Sequence, residues 1–457
     1  MTLSEPHTQY QSIGLLESED EGYVHPLFAL WTGLAGLLTL SLMVYSVSNV
    51  SQAASTHIYH NGSHIFAPTV VFISLDGVVN QDLDLSVTPM LSQMAKEGSR
   101  ADYMLPSFPT TTFPNHWTLV TGLYPDTHGI ISNIFYDSVL NDTFNYKSEG
   151  SLDSKWWSGE PIWMTAEKQK VKTGVIMWPG SSVNFAVRPS YSVAYDDFVT
   201  MDQKVNQVLD WFDLPMNERP QLIGLYVPEV DKAGHRYGPY ANETMDQLRS
   251  ADGSIGKLLE GIRSRNLTEI INVIVVSDHG MSATSKKRLV FYDDGLTPEE
   301  LSMIGQVEMS PFLGIRVRPG LNQEDSVNVL YKAFKRLQKN SPYFQVYKKG
   351  MMPRRFRFHE NRRIPPLLVL PDQGWSLVTH QEYDPNSNQP FSPRGTHGYD
   401  NFARESRAIF VARGPDFPKN KKIEPFPNVE VFNVMSRILK LIPTNNNNTL
   451  NGLLKFK

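Results

Sequence analysis

Thr69–Leu75 reads TVVFISL and runs directly into Asp76-Gly77. An apolar, β-branched run of this length, closed abruptly by turn residues, fits a strand buried on both faces of a parallel sheet. The pattern recurs. Leu222–Val227 (LIGLYV) is followed by PEVDKAGH, which holds Asp231 and His235, and Val273–Val276 (VIVV) is followed by Ser277, Asp278, His279 and Gly280. Helical patterns lie between these runs, among them Met201–Phe212 and Asn242–Arg265. Strands alternating with helices predict an open α/β architecture with a mostly parallel central sheet flanked by helices.

Ligands of such sheets bind at the carboxyl ends of the strands. A single Asp after a strand is ordinarily a turn former. Acidic clusters at three strand ends, two of them carrying His, are expected to meet on one edge. Asp and His donors without any Cys suit zinc, and also admit manganese or cobalt. Two ions about 3.5–4 Å apart clamp the attacking and leaving oxygens of an in-line phosphoryl displacement. His397, in RGTHGYDN, is a further available donor.

The stretch Pro106–Asn133, PSFPTTTFPNHWTLVTGLYPDTHGIISN, places Thr residues at the entry to a helix. A hydroxyl is a poor nucleophile at neutral pH and needs activation, which a metal ion can supply. A helix N-terminus favours an incoming phosphate. Local chemistry does not choose among Thr110, Thr111 and Thr112, and an N-cap is the bland reading of the same residues.

Seven blocks in order carry a resemblance. They are SLDG (Ser74–Gly77), TTFPNHWTLVTGLYP (Thr111–Pro125), HGIISN (His128–Asn133), WPGS (Trp178–Ser181), PEVDKAGHRYGP (Pro228–Pro239), SDHGM (Ser277–Met281) and THGYDN (Thr396–Asn401). Over about Ala67 to Leu441 the chain resembles the ectonucleotide pyrophosphatase/phosphodiesterase family of the alkaline phosphatase superfamily. The resemblance implies two zinc ions, one held by Asp231, His235 and His397, the other by Asp76, Asp278, His279 and the Thr112 oxygen. It implies Thr112 as nucleophile, with Asn133 and the Phe113 N–H donating to a phosphate oxygen. Phe113 and Tyr195 fall where the family sandwiches a nucleobase; Tyr195 is matched by spacing from Trp178 and Trp211. The activity implied is hydrolysis of nucleotide pyrophosphate and phosphodiester bonds through a covalent nucleotidyl-threonine, releasing a 5′-monophosphate. Two positions depart from some animal members: Thr111 replaces a Lys, and Ser182 replaces an Asp. The chain looks like the bare catalytic domain on an anchor, as in fungal relatives.

Composition bounds the rest. With 43 Lys+Arg against 47 Asp+Glu, no basic excess suggests a nucleic-acid partner. The absence of Cys removes disulfides and thiol chemistry. Leu27–Val47 is apolar and uncharged, long enough to span a bilayer as a signal-anchor helix. The chain is therefore read as a tail (1–26), an anchor (27–47), a stalk (48–66), a catalytic domain (67–443) and a flexible end (444–457). The first basic residue is Lys96, so the positive-inside rule is silent. Sequons at Asn61, Asn141, Asn242, Asn266 and Asn447 favour a type II protein with an extracellular or lumenal body.

Other features read as structural. The basic run Arg354, Arg355, Arg357, Arg362 and Arg363 fits a solvated or salt-bridged loop. Trp156, Trp157 and Trp163 fit the core, and His116 and His128 fit supporting roles. Two further readings compete: a lipid-headgroup phosphodiesterase or phosphoethanolamine transferase on the same fold, and a catalytically silent binding protein.

Overall fold

The computed structural model describes residues 58–457, so the expected tail, the anchor at 27–47 and most of the stalk lie outside the described residues. Among the described residues no helix is long and apolar enough to cross a membrane.

The centre is an eight-stranded sheet. Its strands are β1 (Thr69–Leu75), β2 (Ser99–Ala101), β3 (Thr173–Ile176), β4 (Tyr191–Val193), β5 (Leu222–Val227), β6 (Ile271–Val276), β7 (Phe410–Arg413) and β8 (Lys421–Ile423). The order is β8-β2-β7-β6-β1-β5-β3-β4. From β6 to β4 every pairing is parallel, while β7 runs antiparallel to both its neighbours. All seven residues of β1 are buried, as its unbroken apolar run requires. Val227 pairs with Leu75 and Val276 with Ser74, so β5, β1 and β6 stop level and release their following residues at one edge.

Five longer helices matter here: α1 (Thr112–Thr121), α2 (Met201–Phe212), α3 (Glu229–Tyr237), α4 (Asn242–Ser264) and α5 (Gln323–Asn340). The expected boundaries of α2 hold because Thr200 and Gln203 form a reciprocal capping box. Helix α3 was not anticipated. It puts Asp231 and His235 one turn apart on one face. A second, four-stranded antiparallel sheet (Ile304–Glu308, Leu313–Val317, Phe344–Lys348 and Leu367–Pro371) was also unforeseen. With α5 it forms a separate core around Ile315, Leu330, Phe334 and Val369. It enters between β6 and β7.

Two boundaries need correction. The described end of the stalk pairs as a short hairpin, Tyr59–His60 against Ile65–Phe66, with Arg219 stacked 3.8 Å from the Phe66 ring centroid. The end expected to be flexible from residue 444 packs onto the domain instead. Asn447 donates its N–H to Gly122 O at 2.8 Å, Thr449 donates to Glu430 Oε1 at 2.7 Å, and Phe456 bridges Ile423.

The basic run is salt-bridged, as expected, but one member is a buried anchor. Arg363 donates from Nε to Asp137 Oδ2 at 2.7 Å and from Nη1 to the carbonyls of Gly129 and Trp156, each at 2.7 Å. Arg362 binds the same carboxylate at 2.8 Å. The two side chains of the Arg363–Asp137 pair are 5% and 0% exposed. The pair clamps the strand Ile134–Asp137 directly after Asn133. Burial disfavours charge at Asp137, yet Arg362 and Arg363 outweigh it and hold the carboxyl well below the usual carboxylate range. A carboxyl lowered in the folded state contributes stability above its unfolded pKa of about 3.9, and loses it as pH falls toward the folded value. Asp137→Asn strands a buried guanidinium and is expected to cost about 3–5 kcal/mol by urea unfolding at neutral pH. The deficit should shrink as both proteins are taken below about pH 3.9. A cost under about 1 kcal/mol contradicts the anchor.

Candidate functional site

Asp76 leaves β1 at its carboxyl end, and Gly77 follows with φ +73°, a conformation glycine tolerates. A Cβ at Gly77 would lie 3.0 Å from Asp231 Cβ, so the glycine also lets α3 approach β1. Asp278 and His279 leave β6, and a Cβ at Gly280 would meet Glu405 O at 2.1 Å. His397 follows the short strand Gly395–Thr396. Four distant segments thus reach one sheet edge.

There the donors form two groups: Asp76, Asp278 and His279, and Asp231, His235 and His397. Within each group, ligand atoms lie within 4.8 Å of one another. His279 Nε2 is 2.9 Å from Asp278 Oδ2 and 3.5 Å from Asp76 Oδ1. His235 and His397 place Nε2 at 3.5 and 3.4 Å from the Asp231 carboxylate. The rings of His279 and His397 stack at 3.6 Å between centroids, so the groups share a wall.

The chemistry of the donor set fits divalent cations. Each His points Nδ1 at a backbone carbonyl: His235 at Gly395 O (2.8 Å), His397 at Thr110 O (2.9 Å) and His279 at Gly280 O (2.9 Å). Such a bond fixes Nδ1 as the donor and leaves an Nε2 lone pair for a ligand. The Nε2 atoms of His235 and His397 then face each other at 3.1 Å, a repulsive arrangement unless a cation lies near. Asp76 Oδ1, Asp231 Oδ1 and Asp278 Oδ2 are buried without a hydrogen-bond partner; the last lies 2.9 Å from His279 Nε2, whose lone pair offers it no proton. Buried, unpaired carboxylate oxygens are costly unless they coordinate a metal. The protonation balance carries the same signature. Burial, then Asp278 and Asp231, push the Asp76 carboxyl well above its ordinary range. Burial, then His279 and His235, push His397 well below its ordinary value.

Supports lie behind the donors. Tyr226, from β5, donates to Asp76 Oδ2. His116 bridges Thr112 O (2.8 Å) and Ser74 Oγ (2.9 Å), tying α1 to β1. It also stands 3.3 Å behind Asp278 Oδ2. His128 sits against Thr118 Oγ1 and accepts the Ile130 N–H, and burial pulls it down to about 3, consistent with a neutral structural ring.

Thr112 is the first residue of α1, preceded by Thr111 in extended conformation, whose hydroxyl makes no capping bond. Its Oγ1 is 3.3 Å from His279 Nε2. Thr110 and Thr111 do not make this approach: Thr110 Oγ1 accepts the Gly398 N–H, and Thr111 Oγ1 is buried without a partner. The turn is shaped by Asn115, a residue with no local sequence signature for that role. Its Nδ2 donates to Pro109 O and Thr111 O, both at 2.9 Å, and its Oδ1 accepts Ser107 N–H at 2.8 Å. Asn133 Oδ1 accepts the Phe113 N–H at 2.9 Å. The Phe113 N–H is therefore engaged, which differs from its expected freedom to meet a phosphate, and Asn133 Nδ2 remains the available donor.

These groups open into a cavity of about 740 Å³ whose lining includes Thr112, Phe113, Asn133, Tyr195, Asp231 and His397. Phe113 is packed by Tyr146 at 5.1 Å and Trp157 at 6.2 Å between centroids. Trp156, Trp157 and Trp163 are all buried, as expected, although Trp157 also lines the cavity. None of the arginines of the basic run reaches it. A smaller charged hollow of about 480 Å³, which shares Lys232 and Asp197 with the cavity, lies beside it.

Comparisons with known proteins find relatives over most of the chain. A family model described as type I phosphodiesterase / nucleotide pyrophosphatase matches residues 70–400. An uncharacterized pyrophosphatase/phosphodiesterase of Schizosaccharomyces pombe is 39% identical over 404 residues, covering 87% of this chain and 82% of the relative. Human ectonucleotide pyrophosphatase/phosphodiesterase family member 1 is 35% identical over 397 residues, covering 85% of this chain but 42% of the relative, so the chain spans less than half of that protein. The solved structure of an inactive variant of murine ectonucleotide pyrophosphatase/phosphodiesterase 5, in complex with AMP, superposes with a TM-score of 0.75 at 29% identity, covering 85% of this chain and all of that one.

His397→Ala removes the donor shared between the ring stack and Asp231. The metal content of the purified domain is expected to fall by about one equivalent, since a ligand set reduced to two rarely retains the ion. Unchanged stoichiometry rejects the assignment of His397.

Proposed function

The chain belongs to the type I phosphodiesterase / nucleotide pyrophosphatase family, and from that premise we propose that it hydrolyses nucleotide pyrophosphate and phosphodiester bonds through Thr112, with two zinc ions. One observation carries the reading: the Thr112 hydroxyl meets one donor group while the second donor group faces the same cavity as Phe113 and Tyr195.

Asp76, Asp278 and His279 would hold one ion beside Thr112, and Asp231, His235 and His397 the other. When bound, such ions supply positive charge that eases deprotonation of a hydroxyl and offsets charge on the attacking and leaving oxygens. Thr112 Oγ1 attacks phosphorus and forms the Oγ1–P bond, its proton passing to solvent. The P–O bond to the leaving group breaks on the far side, toward Asp231 and His397. Asn133 Nδ2 donates to a non-bridging oxygen, and the α1 N-terminus favours the anion. Water then attacks phosphorus, the Oγ1–P bond breaks, and the 5′-monophosphate leaves with Thr112 reprotonated. Phosphoryl transfer asks mainly for such positioning and charge stabilisation. Phe113 and Tyr195 form the two walls of a base slot.

The proposal extends to an anchor at residues 27–47 and a body outside the cytosol. Asn141 and Asn242 are the exposed sequons with free amide nitrogens. Asn61 and Asn266 spend theirs on the carbonyls of Arg265 and Asn61, at 2.9 and 2.8 Å.

Thr112→Ala is expected to abolish turnover while both zinc equivalents stay bound; full activity in that variant removes the covalent route. Phe113→Ala is expected to raise KM for ATP about tenfold or more, because base stacking contributes about 1–3 kcal/mol. The rise with bis(4-nitrophenyl) phosphate should be far smaller. Equal effects on both substrates favour a lipid-headgroup or other non-nucleotide diester.

A further inference from the structure

The two walls of the base slot are built differently. Phe113 stands on packed rings, whereas Tyr195 is 49% exposed and, among the described residues, its one ring neighbour within reach is Tyr226, 6.5 Å away between centroids. A half-exposed aromatic on a loop has rotamer freedom that binding must remove. Here polar contacts restrict it. Tyr195 donates its hydroxyl to Asp197 Oδ1 at 2.7 Å. Lys232 donates to the same oxygen and lies 5.5 Å from the Tyr195 ring centroid. Lys232 directly follows Asp231 on α3, and all three residues of the contact line the cavity. The free wall of the slot is thus pinned, through one carboxylate, to the helix that carries Asp231 and His235.

We infer that Lys232 is a positioning residue for nucleobase recognition, acting through Asp197 to hold Tyr195 against the incoming base and in register with α3. This rests on the base slot described above and adds to it a residue that sets nucleotide preference without touching the base. An exposed ion pair has a modest, salt-screened effect, so the contribution is a few-fold preference.

The test compares KM for ATP with KM for bis(4-nitrophenyl) phosphate in the intact enzyme. Lys232→Met is expected to raise the ATP-to-diester KM ratio about two- to five-fold with kcat for ATP changed less than KM. Lys232→Arg restores most of the ratio. Asp197→Ala produces a similar rise, and the double variant is no worse than either single one, because both act on the same ring. An unchanged ratio in Lys232→Met, or single effects that multiply in the double variant, overturns the inference; the latter identifies Lys232 as a direct phosphate contact. Phe113→Ala in the same assay separates the two levels. If it leaves the ratio unmoved, the base slot itself is absent. If it shifts the ratio while Lys232→Met does not, only the role of Lys232 falls.

Discussion

Three carboxylates and three imidazoles are crowded at one edge of the sheet, and one oxygen of each carboxylate is buried there without a hydrogen-bond donor. Asp76, Asp278 and His279 are each at most 1% exposed. Burying even one unpaired carboxylate oxygen is unfavourable, and three are left so here. A fold that keeps such a cluster must hold it by packing around it, and that need explains the surrounding architecture. The parallel sheet supplies the rigidity. Strands β5, β1 and β6 end level and carry their donors to one edge without a long loop.

The supports are graded by distance from the charge. Backbone carbonyls of Gly395, Thr110 and Gly280 set the tautomers of the three histidines. Tyr226 and His116 brace Asp76 and Asp278 from behind. Farther out, Arg363 ties Asp137 to Gly129 and Trp156, fixing the strand that begins after Asn133. Each layer uses polar groups fully engaged except toward the cavity. That is the arrangement expected when a site must be rigid before its ligand arrives.

Much of this was legible in the residues. Buried parallel strands print as continuous apolar runs, so TVVFISL and LIGLYV announce their burial, and the residues after them announce the edge. Helix α2 was legible to its boundaries because the capping residues Thr200 and Gln203 are local. Other parts were not. Helix α3 is short and polar, with Glu229, Asp231 and Lys232 in its first turns, so no apolar stripe marks it. The second sheet is built from short strands whose core partner, α5, interrupts them in sequence. Arg363 reads as a surface residue because its partner Asp137 lies 226 positions away. Residues after 443 read as low-complexity polar, yet their Asn and Thr side chains and backbone bond back to Tyr124, Gly122 and Glu430.

The whole arrangement requires cations at the two donor groups. Anomalous diffraction at the zinc edge, from crystals of the domain grown with zinc, addresses it most directly. Two peaks about 3.5–4 Å apart are expected. One lies among Asp76, Asp278, His279 and the Thr112 hydroxyl, the other among Asp231, His235 and His397. Crystals with saturating zinc that show no peak between these side chains, or a single peak remote from Thr112, contradict it.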